Sequence, residues 1–372
     1  MPALFWLSSL LLVYTQAGYG ALLALLGRLL PGRPAPPPAA TPPSVTIVVA
    51  AYAEEDVIAR RVENLRALDL PAEVIVACDG SPDATPQRAR EAGADLVLEL
   101  PRGGKVRAQD AGVRAAHGEI VAFSDANALW EPAALRALLA PFADPRVAYA
   151  AGRVAFVNSS HPPGTNQEGL YWRYDMALRA RESALASLTA GNGAIYAVRR
   201  ADYVEVDPVM GHDLSLPHVL VKRGKLAVDV ADARATEKMV PSVEGEWARK
   251  RRMMDHTWAI VLHGGLLDPR GAGPLYGLFL VSHRLLRYAT PFLHAAALVS
   301  ALVLAPRRRL YAVAAAAQVA LLGAAAAAVR CPRRPLLVAR YYVLTTAAIA
   351  FGLLDHLRHG TRAGWEPAEG TR

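Results

Sequence analysis

The chain has 372 residues, of which 53% are hydrophobic, and its formal net charge is +8. A basic chain can bind nucleic acid, but here no Lys/Arg patch is interleaved with stacking aromatic residues, so we expect no nucleic-acid partner. The two cysteines, Cys78 and Cys331, lie far apart and predict neither a disulfide framework nor a thiolate metal site.

The first element is a predicted membrane anchor at residues 1–31. Residues 3–27 carry no charge, and about 20 apolar residues are enough to span a bilayer. A cleaved signal peptide is the alternative, but the leader lacks basic residues. Arg28 and Arg33 follow the span, which predicts that the chain continues in the cytoplasm. Residues 32–43, rich in Pro and Ala, predict an extended linker.

Residues 44–265 alternate short β-branched runs with stretches of helical spacing. The predicted strands are 44–50, 72–77, 95–100 and 119–124, and the predicted helices are 54–68, 85–92 and 105–116. This alternation predicts an α/β domain with a doubly wound, mostly parallel sheet. Ligands of such sheets bind beyond the carboxyl ends of the strands.

The chain becomes apolar again after residue 275. Residues 275–288 include three basic residues and predict an amphipathic interfacial helix. Residues 289–356 contain three candidate spans, and residues 357–372 form a polar tail. Arginine clusters between the spans cannot all lie on one side of the membrane, so the side of the tail stays open.

Two predicted strands end in polar side chains. Asp79 precedes Gly80 and can accept hydrogen bonds from a ribose or a base, or can form a local turn instead. Asp125 and Asn127 alternate along an extended segment, so both can offer oxygens to one hard cation. The sequence therefore predicts a nucleotide and metal site at this edge.

Two further groups lie later in the chain. Asp213 opens a predicted helix, either as its N-cap or as a general base for an acceptor hydroxyl. His212 could tune Asp213 or could be a surface histidine. Arg249 and Arg252, three residues apart, could clamp a pyrophosphate or could belong to a solvated basic helix.

Together these residues resemble the family-2 glycosyltransferases, particularly the membrane-embedded cellulose, hyaluronan and poly-N-acetylglucosamine synthases. The motifs that carry the resemblance are Ala50–Glu55, Asp79-Gly80-Ser81, Gly104–Gly112, Asp125-Ala126-Asn127 and Asp213 with Pro217. The sequence departs from the family pattern at several positions. Asn127 replaces the second metal-motif acid, His212 replaces the first acid of the catalytic pair, and the Gln and Trp of the Gln-x-x-Arg-Trp motif are absent.

The resemblance implies a GT-A fold and an inverting hexosyl- or N-acetylhexosaminyltransferase with Asp213 as catalytic base. The implied donor is a nucleotide-diphosphate sugar, expected to be a UDP-sugar, bound by Tyr52, Glu54, Asp79, Lys105, Asp125, Arg249 and Arg252. Asp125 and Asn127 would hold Mg²⁺ or Mn²⁺. The acceptor residues would be Trp172, Gly191, Asn192 and Gly193.

The expected acceptor is a polysaccharide or a lipid-linked molecule at the cytoplasmic face of the cell inner membrane. Transfer of a single sugar to a lipid carrier is one alternative, because the loss of the motif Trp questions processivity. A non-catalytic membrane subunit is the other. An accessory membrane subunit or an oligomer is a possible partner.

Overall fold

The computed structural model describes residues 1–34, 41–157, 167–238 and 243–364. The predicted linker at 32–43 and the predicted tail at 357–372 lie partly outside these residues. The helices are α1 Pro2–Leu29, α2 Ile58–Arg66, α3 Thr85–Glu91, α4 Lys105–Ala115, α5 Ala134–Leu139, α6 Gln167–Leu185, α7 His212–Lys222, α8 Val243–His263, α9 Pro274–Leu304, α10 Arg309–Ala327 and α11 Arg334–His359.

In the described residues the central sheet has eight strands, in the order β3-β2-β1-β4-β7-β6-β8-β5. The strands are β1 Val45–Ala51, β2 Glu73–Asp79, β3 Leu96–Leu100, β4 Ile120–Asp125, β5 Leu129–Trp130, β6 Val147–Val157, β7 Tyr196–Arg199 and β8 Leu226–Lys238. The expected α/β fold is confirmed, and the four predicted strands correspond to β1 to β4.

The sheet is mixed, whereas the sequence predicts a mostly parallel one. Strands β1 to β4 pair in parallel, but β7 runs antiparallel between β4 and β6. The pattern of apolar residues records burial and not strand direction, which explains this difference. The parallel half is the part that positions the site, because Ala51 pairs with Cys78 and Ala50 pairs with Asp125. The carboxyl ends of β1, β2 and β4 therefore meet at one edge.

Both faces of the parallel half are covered by helices. All seven residues of β1 are buried, as expected for a strand between two layers. Ile47 packs in one cluster with Ile58 of α2, whereas Val48 packs in another with Val113 of α4. Burial of each such side chain stabilises the fold by about 1.5–3 kcal/mol.

Four helices in the described part of the chain are long and apolar enough to cross a membrane, namely α1, α9, α10 and α11. Large apolar side chains are exposed along them, including Leu10, Val13, Val313 and Val319. Such exposure is costly in water and is expected of helices that face lipid.

The predicted interfacial helix at 275–288 and the first C-terminal span form one helical run, α9, which includes a π-helical segment, Leu280–Leu285. The polar residues that suggested an interfacial face are turned toward the α/β domain instead. His283 is 1% exposed and contacts the carboxylates of Asp175 and Glu182 on α6. Satisfied polar contacts of this kind allow basic residues within an otherwise apolar helix.

The C-terminal helix α11 packs along α8. The indole N–H of Trp258 donates to the carbonyl of Ile349 at 2.9 Å, and Arg251 pairs with Asp355. Gly352 permits the close approach, since a Cβ at this position would lie 2.5 Å from Met254 Cβ. The apolar helix α11 is thereby attached directly to α8.

Candidate active site

Asp79 ends β2 and is 1% exposed. Its carboxylate accepts hydrogen bonds from the backbone N–H groups of Gly103 at 2.6 Å and Gly104 at 3.0 Å, and from Arg102 Nη1 at 2.7 Å. Gly104 has φ +96°, a conformation that favours glycine. Asp79 therefore holds the loop at 102–104 in place, and its contact with a nucleoside stays a prediction.

The turn after β1 lies beside this loop. The guanidinium of Arg102 lies 3.3 Å from the centre of the Tyr52 ring, which is a cation–π contact. Glu54 is buried, and its backbone N–H donates to Thr85 Oγ1 at 2.8 Å. Arg102 thus contacts both Asp79 and Tyr52, and donor binding by Tyr52 and Glu54 stays a prediction.

The C-terminal segment also reaches this loop. A Cβ at Gly104 would lie 2.1 Å from the carbonyl oxygen of Ala363. Thr361 donates to the Asp255 carboxylate at 2.6 Å, which fixes the segment to α8. Residues 360–364 therefore border the predicted donor site, a contact that the polar composition of the tail does not predict.

Lys105 and Asp125 form an ion pair at the centre of the edge. Gly193 lies against the pair, since a Cβ there would be 3.2 Å from Lys105 Nζ and 3.3 Å from Asp125 Oδ2. Burial lowers the pKa of Lys105, but the carboxylates of Asp125, Asp213 and Glu237 outweigh it and raise the pKa overall. Lys105 is therefore a permanent cation surrounded by three acids.

Glu237, near the end of β8, is a site residue that the sequence reasoning missed. Its Oε1 atom is buried and has no hydrogen-bond partner among the described residues. Burial and the nearby Asp125 carboxylate raise the pKa of Glu237 to about 8. A lone acid at the end of an amphipathic strand gives no sequence signal, because its electrostatic interaction with Asp125 depends on the fold.

The donor set fits a hard divalent cation. No cluster of three His, Cys, Asp or Glu side chains occurs in the described ranges, but Asn127 adds an amide oxygen to the two carboxylates. Asp125 and Asn127 are both half-buried, whereas Ala126 between them is buried. The buried, unpartnered oxygen of Glu237 adds a further oxygen donor to this set, which fits a hard cation beside Asp125.

Arg61 is a second missed residue behind the acids. It is fully buried, its Nη2 donates to Ser124 Oγ at 2.7 Å, and its guanidinium lies 5.0 Å from the centre of the Trp130 ring. Burial lowers the pKa of Arg61 to about 9, although Asp125 and Glu237 act in the opposite direction. A lysine or arginine at a helical position predicts a solvent-exposed side chain, so the sequence does not reveal this one.

Asp213 lies in the first turn of α7, where Gly211 is the N-cap residue and no side chain caps the helix. The capping alternative for Asp213 is therefore wrong. The backbone carbonyl of Asp213 accepts a hydrogen bond from Gly191 N–H at 2.6 Å. Its carboxylate has no described hydrogen-bond or ion-pair partner, and its charge raises the pKa of Lys105. This carboxylate is available to a ligand.

His212 is 3% exposed, so the surface alternative for this residue is also wrong. Its ring nitrogens contact the hydroxyls of Tyr196 at 3.0 Å and Tyr203 at 3.2 Å. Burial, followed by the charge of Lys105, lowers the pKa of His212 to about 3. His212 is neutral at pH 7 and adds no charge beside Asp213.

Residues 46–205 match the sequence profile of the family described as Glycosyl transferase family 2. These residues are a family 2 glycosyltransferase domain. The prediction of a glycosyltransferase is thereby confirmed. A search of curated proteins finds no match to the chain.

The structure is similar to that of the mannosyltransferase PcManGT from Pyrobaculum calidifontis in complex with GDP-Man and Mn²⁺. The TM-score is 0.71 at 24% identity, and the match covers 95% of this chain and 99% of the other. A glucosyl-3-phosphoglycerate synthase from Mycobacterium tuberculosis, with Mn²⁺, UDP and product, matches at a TM-score of 0.42 and 21% identity, over 58% and 79% of the two chains. The first similarity supports the same fold for the terminal helices as well as for the glycosyltransferase domain.

Two of the predicted acceptor residues of the glycosyltransferase domain bind backbone groups. Asn192 Nδ2 donates to the Gly152 carbonyl at 2.7 Å, and its Oδ1 accepts from two following N–H groups. The indole N–H of Trp172 donates to the Val154 carbonyl at 2.8 Å. Gly191 and Gly193 instead lie against Asp213 and Asp125, respectively. The role of all four in acceptor binding stays a prediction.

The two arginines of α8 have different surroundings. Arg249 donates from Nε and Nη2 to Glu246, both at 2.8 Å. Burial raises the pKa of Glu237, and the positive charge of Arg249 opposes this rise. Arg252 lines a cavity of about 560 Å³ beneath α11, together with Trp247 and Arg251. A shared pyrophosphate clamp stays a prediction, and Arg249 is the residue closer to the acids.

Proposed function

We propose that the protein is a membrane-bound, metal-dependent inverting glycosyltransferase that uses a nucleotide-diphosphate sugar. The observation that carries this proposal is the convergence of Lys105, Asp125, Glu237 and Asp213 at the carboxyl edge of the sheet. We take residues 44–265 as the catalytic unit. The complex of PcManGT with GDP-Man and Mn²⁺ supports a donor of this class.

The arrangement suits a single displacement. Asp213 accepts the proton of an acceptor hydroxyl, whose oxygen forms a bond to the anomeric carbon of the donor sugar. The bond from that carbon to the diphosphate breaks, and its electron pair leaves with the nucleoside diphosphate. Lys105 supplies a fixed positive charge for the diphosphate, and a general base contributes about 10²–10⁴-fold to the rate. Attack opposite the leaving group inverts the anomeric centre.

Asp125, Asn127 and Glu237 would hold Mg²⁺ or Mn²⁺. When bound, this cation neutralises charge on the leaving diphosphate. The neutral amide of Asn127 predicts weaker binding than two aspartates would give. Tyr52, Glu54 and the loop that Asp79 holds lie at the nucleoside end of the same edge.

We place the chain near the membrane-embedded branch of the family, with a lipid-linked acceptor and transfer of one sugar at a time. The terminal helices α1 and α9–α11 support a membrane location. Met253 stands where the processive members have a Trp beside the acceptor sugar, which disfavours polysaccharide synthesis. Arg28 in the last turn of α1 and Arg33 just after it support a cytoplasmic catalytic domain.

The test uses the full chain purified in detergent, with UDP- and GDP-sugars and with either Mn²⁺ or EDTA. We expect release of nucleoside diphosphate from one donor class, loss of release in EDTA and recovery on addition of Mn²⁺. Full turnover in EDTA would remove the metal from the mechanism. With labelled donor and native membranes, long polymer products would contradict single transfer.

The orientation is tested separately in intact cells. Asp232, whose side chain is 87% exposed, is replaced by cysteine in a background where Cys331→Ser removes the accessible native thiol. A membrane-impermeant maleimide should label Asp232→Cys only after permeabilisation. Labelling from outside intact cells would reverse the assigned topology.

A further inference from the structure

Arg179 on α6 is a buried cationic side chain. It is 1% exposed, and among the described residues its Nη1 contacts the weak acceptor Met176 Sδ, at 3.7 Å, and no other acceptor. Its Nε and Nη2 have no hydrogen-bond partner, and no carboxylate of the described residues forms an ion pair with it. An unpaired guanidinium in the protein interior is strongly unfavourable, because it loses its hydration without gaining a partner. This suggests that the partner is a ligand.

A second buried polar group also lacks a hydrogen-bond partner among the described residues. Tyr149 of β6 is fully buried, and its hydroxyl has no hydrogen-bond partner among the described residues. Burial and the Asp213 carboxylate raise the pKa of Tyr149, whereas Arg179 lowers it. Tyr149 therefore lies within the electrostatic reach of both Arg179 and Asp213.

The segment at 189–191 connects this group to the proposed base. Gly191 has no side chain, and a Cβ there would lie 1.9 Å from the Tyr149 hydroxyl. The N–H of Gly191 donates to the carbonyl of Asp213 at 2.6 Å. Any side chain at position 191 would clash with the Tyr149 hydroxyl, so the close approach of this segment to Tyr149 requires glycine.

The same segment contacts the membrane helix α9. Arg284 of α9 is 7% exposed and donates from Nε to Thr189 Oγ1 at 2.9 Å. Its Nη2 has no hydrogen-bond partner in the described part of the chain. Glu182 accepts from Thr189 and contacts His283, so the hydroxyl that Arg284 binds is also paired with an acid. The unpartnered polar groups therefore lie where the catalytic domain meets a helix long and apolar enough to enter the bilayer.

We propose that Arg179, assisted by Arg284 and Tyr149, binds the phosphoryl group of a lipid-phosphate acceptor. This assignment rests on the proposed function, in particular on Asp213 as base. Guanidinium groups bind phosphate through paired N–H donors, which matches the unpartnered nitrogens. The acceptor therefore carries a free hydroxyl in addition to its phosphate: the phosphoryl group lies beside Arg179, this hydroxyl lies at Asp213, and the lipid chain leaves along α9.

The experiment measures binding to the full chain in detergent. The probes are farnesyl phosphate, farnesol and inorganic phosphate, and the readouts are the dissociation constant and the shift in melting temperature. Farnesyl phosphate should raise the melting temperature of the wild-type protein more than farnesol does. Inorganic phosphate should bind more weakly than farnesyl phosphate, because it lacks the lipid contacts. Equal affinity for inorganic and farnesyl phosphate would overturn the lipid part of the proposal.

Arg179→Gln removes the charge and keeps most of the side-chain length. It should weaken farnesyl phosphate binding by about 10- to 100-fold, the scale of hydrogen bonds to a charged group. Without ligand it should melt at the same temperature as wild type or higher, because an unpaired buried charge has been removed. A purely structural arginine would give the opposite result, a lower melting temperature and unchanged ligand affinity. Arg179→Lys should retain part of the affinity.

Arg199→Gln is the matched control. Arg199 pairs with Glu119 at the opposite edge of the sheet, so this variant should bind farnesyl phosphate like wild type. Equal losses of affinity in both variants would overturn the proposal. Release of nucleoside diphosphate by the wild-type protein without acceptor tests the proposed function alone. If this release occurs but farnesyl phosphate and farnesol bind alike, only the phosphate site is refuted.

Discussion

Replacement of Asp213 by Asn separates a catalytic role from a structural one. The carboxylate has no described hydrogen-bond partner, and the N-cap of α7 is Gly211. Asn therefore removes no hydrogen bond from the folded protein. The cost is limited to the favourable interaction of a negative charge with the first turn of the helix, about 0.3–1 kcal/mol. A loss of this size lowers the melting temperature by only a few degrees.

The effect on turnover should be far larger. Asn cannot accept the acceptor proton, so we expect kcat to fall by about 10²-fold or more. The dissociation constant for the donor should change little, because Lys105 keeps its charge and its ion pair with Asp125. The assay combines initial rates of nucleoside diphosphate release with thermal unfolding of the same preparation.

Asp207→Asn is the control for this experiment. Asp207 is exposed, lies five residues before the start of α7, and accepts a turn hydrogen bond from Val209 N–H that Asn can also accept. This variant should keep full activity and stability. A fully active Asp213→Asn enzyme would refute the base assignment, and so would equal losses of activity in both variants.

Three further predictions concern metal binding, pH dependence and helix packing. Glu237→Gln should raise the Mn²⁺ concentration needed for half-maximal activity by about 10-fold or more, as measured by titration after EDTA treatment. Burial raises the pKa of Asp110 to about 6, so the folded state binds its proton more tightly than the unfolded state. The contribution of Asp110 to stability should therefore be lost as pH rises from about 4 to 6. Asp110→Asn should remove this pH dependence, which amounts to about 1–3 kcal/mol of unfolding free energy. The lowered pKa of His212 acts in the opposite direction, but it is common to both proteins and cancels when they are compared. Gly352→Ala should destabilise the protein by about 1–3 kcal/mol through overpacking against α8, whereas Gly323→Ala, which meets no atom within 4 Å, should not.

The parallel half of the fold could be predicted because local signals determine it. The apolar runs of β1, β2 and β4 and the helical spacing between them are visible in the sequence, and parallel strands bring their carboxyl ends together. Tyr52, Asp79 and Asp125 consequently lie at one edge, as expected. The motif Gly104-Lys105 identifies a loop and a cation, but its ion pair with Asp125 is visible only in the structure.

The remaining site residues come from long-range contacts that leave no local pattern. Glu237 interacts electrostatically with Asp125 because the pairing of β8 with β6 and β5 brings it into the same sheet. Arg61 has an ordinary helical position, yet the packing of α2 buries it behind Ser124. The polar residues of α9 suggested an interface with water because the sequence does not show that α6 supplies acids to face them.

Lys105 links metal binding to donor binding. It is paired with Asp125, and the carboxylates of Asp213 and Glu237 also raise its pKa. A divalent cation at Asp125 and Glu237 would repel the Lys105 ammonium, which would then be available to the donor diphosphate. Metal and donor should therefore increase each other's affinity by the same factor, because such coupling is reciprocal. We expect the donor dissociation constant to rise by about 10-fold or more in EDTA, a typical coupling. Lys105→Met should reduce this factor, since a neutral side chain neither blocks Asp125 nor binds the diphosphate. Equal donor affinity with and without Mn²⁺ would show that Lys105 and the metal act independently.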